Sequence, residues 1–376
     1  MVSKHEMKRL RSELGAAGVF EHREGAGWLK LALMLAVLLL CVTGAVRLGG
    51  WAWPLLVPIA AITATVATLM GHEGSHGSFS SRRVSNRLLA YLSLSLFSGM
   101  SWLYWKHKHD GLHHGHPNVV AKDPDVEIWP MAMSRAEYEV STPLQRWFQR
   151  NLQAYTFWPA TLAMAITMRT PSYRYLIGRL RTGGPGRLAL IDASGVVLHY
   201  TLWVLVPALV WGPLPALAFY VSVWGLVGVI LAAIFAPAHM GLPLMVDQHV
   251  GWRHQFETTR NFRAPRWLSF FYVGLDYQIE HHIFPLIPHQ NLPRASAVVR
   301  RWCAEQGLPY HEIGVIDGLK SVTAFLQDAW QIDASSTRQG ATKPSTAPFA
   351  RELPYVADGA GAAEPSAARL SSPELA

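Results

Sequence analysis

Four long apolar runs constrain the fold of this 376-residue chain more than any other feature. They lie at residues 28–48, 51–70, 188–211 and 214–238, and each has about the 20 residues that a membrane-spanning helix needs. Half of the chain is hydrophobic and only 15% is charged, which is too apolar for a typical soluble enzyme. The sequence therefore predicts an integral membrane protein with four transmembrane helices.

Histidines cluster next to these runs and point to a metal site. Residues 72–116 contain seven of the 17 histidines of the chain. Neutral imidazole is the commonest metal ligand in proteins, and histidines four residues apart share one face of a helix. Three clusters stand out. His72 and His76 are four residues apart, as are His109 and His113, which His114 follows directly; the third cluster is the adjacent pair His281 and His282.

The number of imidazoles predicts two metal ions. An eighth histidine, His239, directly follows the fourth run, where the chain leaves the membrane. Eight imidazoles are too many for one ion with about four to six ligands, but they suit two ions. Zinc would not need so many nitrogens, so two irons, which can activate dioxygen, fit better.

The distribution of basic residues predicts the topology. The turns at 47–51 and 211–215 contain one basic residue, Arg47, whereas all other basic clusters, including the stretch 169–187, lie on the opposite side. The positive-inside rule assigns that side, with both termini and all three histidine clusters, to the cytoplasm. We expect the net charge of +8 to face anionic lipid headgroups and expect no nucleic-acid partner.

Two shorter apolar stretches are predicted to lie at the membrane surface. The stretch 155–168 is too short to span. The stretch 88–104 contains several serines and could form a span or an interfacial helix. A span there would place the first two histidine clusters on opposite sides of the bilayer, so we favour the interfacial helix. The expected fold is all-α, with four transmembrane helices and a cytoplasmic helical cap that carries the histidines.

The clusters resemble the three histidine boxes of the membrane fatty acid desaturase superfamily, in its acyl-lipid and front-end (linoleoyl-CoA desaturase-like) branch. The similar segments are His72-Glu73-Gly74-Ser75-His76, His109-Asp110-Gly111-Leu112-His113-His114 and Gln278-Ile279-Glu280-His281-His282. In this branch Gln278 stands where the third box otherwise begins with histidine. The resemblance covers roughly residues 50–310, and the order, spacing and membrane placement of the boxes all agree.

The resemblance implies a di-iron centre that uses dioxygen and two electrons to form a double bond in an acyl chain. The acyl carrier could be a lipid, coenzyme A or a carrier protein. The chain contains no His-Pro-Gly-Gly motif of a fused cytochrome b5. We therefore expect a separate electron donor, such as a ferredoxin or cytochrome b5 with its reductase.

Specific residues follow from this interpretation. The expected iron ligands are His72, His76, His109, His113, His114, His239, His281 and His282. Four further residues in the boxes either hydrogen-bond to these imidazoles or are merely solvated: Gln278, Glu73, Asp110 and Glu280. The remaining histidines near the boxes are expected to be surface or supporting groups, namely His107, His116, His249, His254 and His289. His199, inside the third run, is predicted to be a packed polar residue.

Three domains and two alternative functions complete the predictions. Residues 1–27 are expected to form a cytoplasmic segment, 28–332 the membrane desaturase domain, and 333–376 a disordered tail poor in aromatic residues. A di-iron acyl hydroxylase or acetylenase could use the same scaffold. A metal transporter is a third option, but transporters place their ligands near the middle of the membrane, whereas these histidines lie at the ends of the runs.

Overall fold

The computed structural model describes residues 2–182, 186–246 and 251–334. Four helices in it are long and apolar enough to cross a membrane, which confirms the predicted number of spans. We call them span 1 to span 4 in chain order: Glu24–Leu48, Gly50–His76, Arg187–Trp211 and Pro213–His239. Residues 335–376 of the predicted tail and His249 lie outside the described residues.

Spans 2 and 4 form the centre of the membrane region. In the most apolar 18-residue segment of span 2, 67% of the residues are buried inside the protein, and the corresponding share is 50% in span 4. It is only 28% in span 1 and 11% in span 3. Large apolar side chains such as Leu39 and Leu40 of span 1 are exposed, as expected for a surface covered by lipid. Both central spans end in predicted ligands, His76 and His239, so they carry these side chains to the same edge of the bundle.

Two helical pairs enter the bundle and turn back without crossing it. In the first pair, Arg83–Ala90 continues as Tyr91–Phe97, the chain reverses at residues 98–101, and Trp102–Trp105 continues as Lys106–His113. The stretch 88–104 is therefore neither a span nor a single flat helix at the membrane surface. Close packing on span 3 requires Gly195, because a Cβ there would lie 2.8 Å from the Cβ of Ser95.

The second pair descends through Gln153–Ala160, Thr161–Ala163 and Met164–Thr167 and returns as Arg169–Arg181. Its tip meets the tip of the first pair, where three side chains donate hydrogen bonds to the carbonyls of residues 97–99. These donors are His199, Arg169 and Tyr173, at 2.7, 2.9 and 2.8 Å. Carbonyls at this depth need such partners because no water is available.

This contact explains His199 and corrects the placement of Arg169. His199 is fully buried and packed, in agreement with the sequence prediction. Arg169 was grouped with the cytoplasmic basic stretch, but it is 3% exposed. Its Nη1 donates a hydrogen bond to Tyr220 of span 4 at 2.6 Å, and its guanidinium lies 4.4 Å from the ring centre of Trp224. A basic residue next to an apolar run gives no sign that its partners lie on other helices.

A buried carboxylate in span 3 positions the helix that leads to the second histidine box. The two oxygens of Asp192 accept hydrogen bonds from the hydroxyls of Ser95 and Ser101 and from the backbone N–H groups of Trp102 and Leu103. The last two N–H groups lie at a helix N-terminus, where the helix itself provides no acceptor for them. Asp192 therefore fixes the start of the helix whose later turns carry His109 and His113.

The remaining elements form a cap over the ends of the spans that carry the predicted ligands. Its helices are Lys4–Ala16, Pro124–Val126, Arg135–Val140, Pro143–Asn151, Trp252–Glu257, Arg266–Tyr272, Gln278–Ile283, His289–Asn291, Leu292–Gln306, Val315–Asp328 and Ala329–Gln331. Two parallel strands, Asn261–Arg263 and Glu312–Gly314, pair within it. Leu10 and Leu14 of the first helix pack in one apolar cluster with Val299 and Trp302, so the N-terminal helix is part of the cap.

Candidate metal centre

The structure brings all eight predicted histidines into two adjacent groups. In each group, one ring nitrogen of each histidine lies within 4.8 Å of the chosen nitrogens of all the others. The larger group contains His72, His76, His109, His114 and His281, and the smaller contains His113, His239 and His282. The rings of His114 and His282 are stacked at 4.2 Å between centroids and connect the groups. An overlapping third set combines His109 and His113 with Asp125.

Local helical structure explains how distant segments converge. His72 and His76 occupy the last turn of span 2 and share one face. The segment Lys106–His113 is wound as a π-helix, with five-residue hydrogen bonds such as His114 N–H to His109 O. Such wider turns are rare and frequent at functional sites. His281 and His282 lie on the short buried helix Gln278–Ile283.

The nitrogens of the groups lack enough protein partners of their own. The Nε2 atoms of His239, His281 and His282 are buried without a hydrogen-bond partner among the described residues. His72 Nε2 lies 2.8 Å from His109 Nε2 and 3.2 Å from His76 Nε2. An unpaired buried polar atom costs about 1–3 kcal/mol, and a cation between the rings would satisfy them. The donor set therefore fits metal ions.

Protonation favours the same conclusion. Burial and the neighbouring imidazoles lower the pKa of His109, His114 and His282 well below its usual value, and the same holds for His281. These rings are neutral at pH 7, which is the form that binds metals. Burial also acts to lower the pKa of His113, but the carboxylates of Asp123 and Asp125 together outweigh it, so the pKa of His113 is raised.

Three of the histidines are oriented through Nδ1, which leaves Nε2 directed into the smaller group. His113 Nδ1 donates to Asp123 at 3.0 Å, His239 Nδ1 to the carbonyl of Thr258 at 3.0 Å, and His282 Nδ1 to Gln255 at 3.3 Å. Hydrogen bonds of this kind fix the ring and its tautomer in metal sites. None of these three partners was predicted from the sequence. Only Asp123, in an acidic stretch just after the second box, gave a detectable signal.

The four supporting residues predicted within the boxes have different surroundings. Asp110 lies 3.6 Å from His76 Nδ1 and bonds to Ser75 and Lys106. The other three form no hydrogen bond to a box imidazole among the described residues. Glu73 accepts from His289 at 2.7 Å, Glu280 accepts from Asn261 and Tyr310, and the Nε2 of buried Gln278 has no partner in that part of the chain.

Apart from His239, the histidines near the boxes that the structure describes belong to neither group. His254 donates to the carbonyl of Pro117 at 2.5 Å, and His289 donates to Glu73. The ring of His107 stacks on that of Tyr175 at 5.2 Å. These contacts agree with supporting or surface roles and not with direct contact to the candidate metal centre.

A long apolar cavity of about 740 Å³ adjoins the centre. His72, His109, His113 and His239 line one part of it, and Trp224 and Arg169 line the far part. Trp224 and His239 are 15 residues apart on span 4, which corresponds to about 22 Å along a helix. The cavity can therefore hold an extended apolar chain that passes the histidines.

Fold and site define an integral membrane protein with a candidate metal centre beside an apolar channel. The family model "Fatty acid desaturase" matches residues 48–314. Because this match covers most of the chain, the protein belongs to the fatty acid desaturase family. It is an oxidoreductase, and relatives that are named as Delta(8)-, (8-3)- and Delta(5)-desaturases support its place in the front-end branch.

Three relatives illustrate the similarity. A Delta(8)-fatty-acid desaturase of Helianthus annuus is 24% identical over 86% of this chain and 73% of its own length. An acyl-lipid (8-3)-desaturase of Rebecca salina is 25% identical over 86% of this chain and 74% of its own. A Delta 8-(E)-sphingolipid desaturase of Emericella nidulans is 26% identical over 68% of this chain and 50% of its own. The chain thus spans between half and three quarters of these relatives.

Proposed function

We propose that the protein is a dioxygen-dependent di-iron desaturase that introduces a double bond into an acyl chain of a lipid or acyl thioester. The observation that carries this proposal is the contact between the candidate centre and the cavity. Four of the eight histidines, among them His72 and His239, form part of the wall of an apolar channel. A metal transporter would need a polar route across the membrane, whereas this channel suits an alkyl chain.

In this proposal, the two histidine groups hold one iron each. When bound, the irons supply an oxidant that can act on unactivated C–H bonds, which no side chain can do. Overall, one CH₂–CH₂ unit, dioxygen, two electrons and two protons give one CH=CH unit and two waters. Neutral imidazoles leave the ions their full positive charge, and Asp123 holds the ring of His113 in a fixed orientation.

The protein positions the chain and excludes water. Leu69 and Phe235 line the cavity next to the histidines, and the ring of Phe235 lies 6.4 Å from that of His72. An apolar wall at this point keeps the reacting carbons close to the centre and removes competing water. The depth of the channel beyond His239 determines how much of the chain extends past the reacting carbons.

Partners and topology follow from the same proposal. The two electrons come from a separate protein, such as a ferredoxin or cytochrome b5 with its reductase. We place the centre and both termini in the cytoplasm because of the basic residues on that side. Residues 28–332 act as one desaturase domain.

The test is expression in a host with defined lipids, followed by mass spectrometry of its fatty acids. We expect new acyl chains that are two mass units lighter and that disappear in His113→Ala. The matched control, His107→Ala, changes a histidine of the same segment that is in neither group and should retain the product. Chains that gain one oxygen would identify a hydroxylase, and chains four mass units lighter would identify an acetylenase. An unchanged lipid profile with a functional electron donor present would refute the proposal.

A further inference from the structure

A second cavity of about 570 Å³ lies between the start of span 1 and the helix Arg266–Tyr272. It shares no lining residue with the apolar channel. Lys30 lines it from the second turn of span 1, and Arg266 and Asp276 line it from the cap. Since span 1 begins at Glu24 on the side of the histidine groups, the cavity opens at that surface of the membrane.

Two cations line this cavity without a direct ion pair among the described residues, although Glu73 and Asp276 act on Lys30 at longer range. Lys30 Nζ donates to the carbonyl of Phe270 at 2.6 Å and lies 4.2 Å from the centre of its ring, but forms no ion pair among the described residues. Arg266 is exposed and forms neither an ion pair nor a hydrogen bond within the described part of the chain. Two cations that line one cavity at the membrane surface suit an anionic oxygen of a lipid headgroup.

An unpaired carboxylate oxygen lines the same cavity. Asp276 is 1% exposed. Its Oδ2 accepts a hydrogen bond from Ser269, whereas its Oδ1 has no partner among the described residues. A buried acceptor without a donor is costly, so an N–H or O–H group on a ligand that also carries an anion would stabilise this oxygen.

The rim of the cavity is apolar and exposed. Trp267 is 67% exposed, Leu29 71% and Phe270 41%. Trp267 and Leu29 are the sequence neighbours of Arg266 and Lys30, and Phe270 itself lines the cavity. Aromatic side chains concentrate at the membrane–water interface, where lipid headgroups and the first methylenes of the acyl chains meet. The rim therefore offers a surface for acyl chains directly below the charged cavity.

We propose that this cavity binds the headgroup of a glycerophospholipid, with the phosphate between Lys30 and Arg266 and a headgroup amine or hydroxyl that donates to Asp276. The acyl chains of this lipid run along Leu29 and Phe270. The site is separate from the apolar channel, so the lipid is a bound partner of the fold and not the chain that reacts. This inference goes beyond desaturation and does not depend on it.

The test is a lipid titration of delipidated full-length protein in detergent, followed by its thermal unfolding. The probes are dioleoylphosphatidylethanolamine, dioleoylphosphatidylcholine and dioleoylglycerol. We expect the first to raise the unfolding temperature at the lowest concentration, because its ammonium group can donate to Asp276, whereas choline has no N–H. Dioleoylglycerol, which lacks the phosphate, should have no effect.

Two variants locate the effect. Arg266→Gln should weaken the response to phosphatidylethanolamine about tenfold, as expected for the loss of one charge-assisted hydrogen bond. The matched control Arg263→Gln removes an exposed arginine that does not line the cavity and should respond like the wild type. Asp276→Asn should remove the preference for ethanolamine over choline.

Other results would overturn the inference. Equal responses to all three lipids would show apolar contact only. An unchanged response in Arg266→Gln would place the phosphate elsewhere, and equal responses of the wild type to ethanolamine and choline would refute the role of Asp276. Because lipid binding is measured without turnover, failure of the proposed desaturase activity would not change any of these outcomes.

Discussion

Replacement of the buried carboxylate in span 3 tests how the second histidine box is positioned. Each oxygen of Asp192 accepts from one hydroxyl and one backbone N–H: Ser95 and Trp102 on Oδ1, Ser101 and Leu103 on Oδ2. Asp192→Asn converts one oxygen into an NH₂ group. The facing hydroxyl can rotate to accept from it, but the backbone N–H on that side loses its carboxylate acceptor. On the Oδ2 side Leu103 N–H is then unpaired, whereas on the Oδ1 side Trp102 N–H retains only its 3.3 Å contact with Ser95 Oγ.

The cost follows from this count. One buried unpaired N–H destabilises a protein by about 1–3 kcal/mol. In domains of about 150–250 residues, each kcal/mol lowers the unfolding temperature by about 2–4 °C. We therefore expect Asp192→Asn to unfold several degrees below the wild type in detergent. It should also bind iron more weakly, because the helix that begins at Trp102 leads to His109 and His113.

Ser194→Ala is the matched control. Ser194 lies on the same span, is exposed, and among the described residues forms hydrogen bonds only to Ile191 and Tyr91, so the unfolding temperature of this variant should match that of the wild type. If Asp192→Asn unfolded at the wild-type temperature and bound iron equally well, the carboxylate would not hold the helix start, and the reasoning would be wrong.

Three further predictions concern the centre, the channel and the cap. Asp123→Asn should weaken iron binding about 10- to 100-fold in a metal titration, because His113 loses its orienting carboxylate; unchanged affinity would contradict this. Ala232→Trp should obstruct the channel between His239 and Trp224, so product analysis should show loss of long chains at unchanged iron content, whereas an unchanged chain profile would place the substrate elsewhere. Burial raises the pKa of Glu137 from 4.5 to about 7, so the folded state binds the proton of this carboxyl group more tightly than the unfolded state does. The stability that this proton contributes is therefore lost as the pH rises from about 4.5 to 7. Glu137→Gln should remove that part of the pH dependence of unfolding, and an identical pH profile would refute the shift.

The sequence predicted features that depend on local pattern. The four spans follow from apolar length alone, and the histidine boxes follow from spacing within one or two helical turns. The charge pattern also predicted that all clusters lie on one side, and spans 2 and 4 do end together at one edge of the bundle; that this edge is cytoplasmic stays a prediction. These features survive because each depends on few residues that are close in the chain.

Features that depend on distant partners were not predictable. Asp192 bonds to residues about 90 positions earlier, and Arg169 bonds to Ser98 across 71 positions. Span 3 therefore contains polar residues that hydropathy can only count as exceptions. Likewise, Gln255 and Thr258 contact box imidazoles only because the cap folds over the spans, and no spacing rule connects them to His282 or His239.

The most direct test of the central claim is the iron content of purified protein, with and without His239. This histidine lies outside the three boxes, yet its ring is 4.8 Å from those of His113 and His282. We expect about two irons per chain in the wild type, as two groups of imidazoles imply, and a loss in His239→Gln as severe as in His282→Gln, while His107→Gln retains the full content. A fully active zinc-only protein, or full iron content in His239→Gln, would contradict the account.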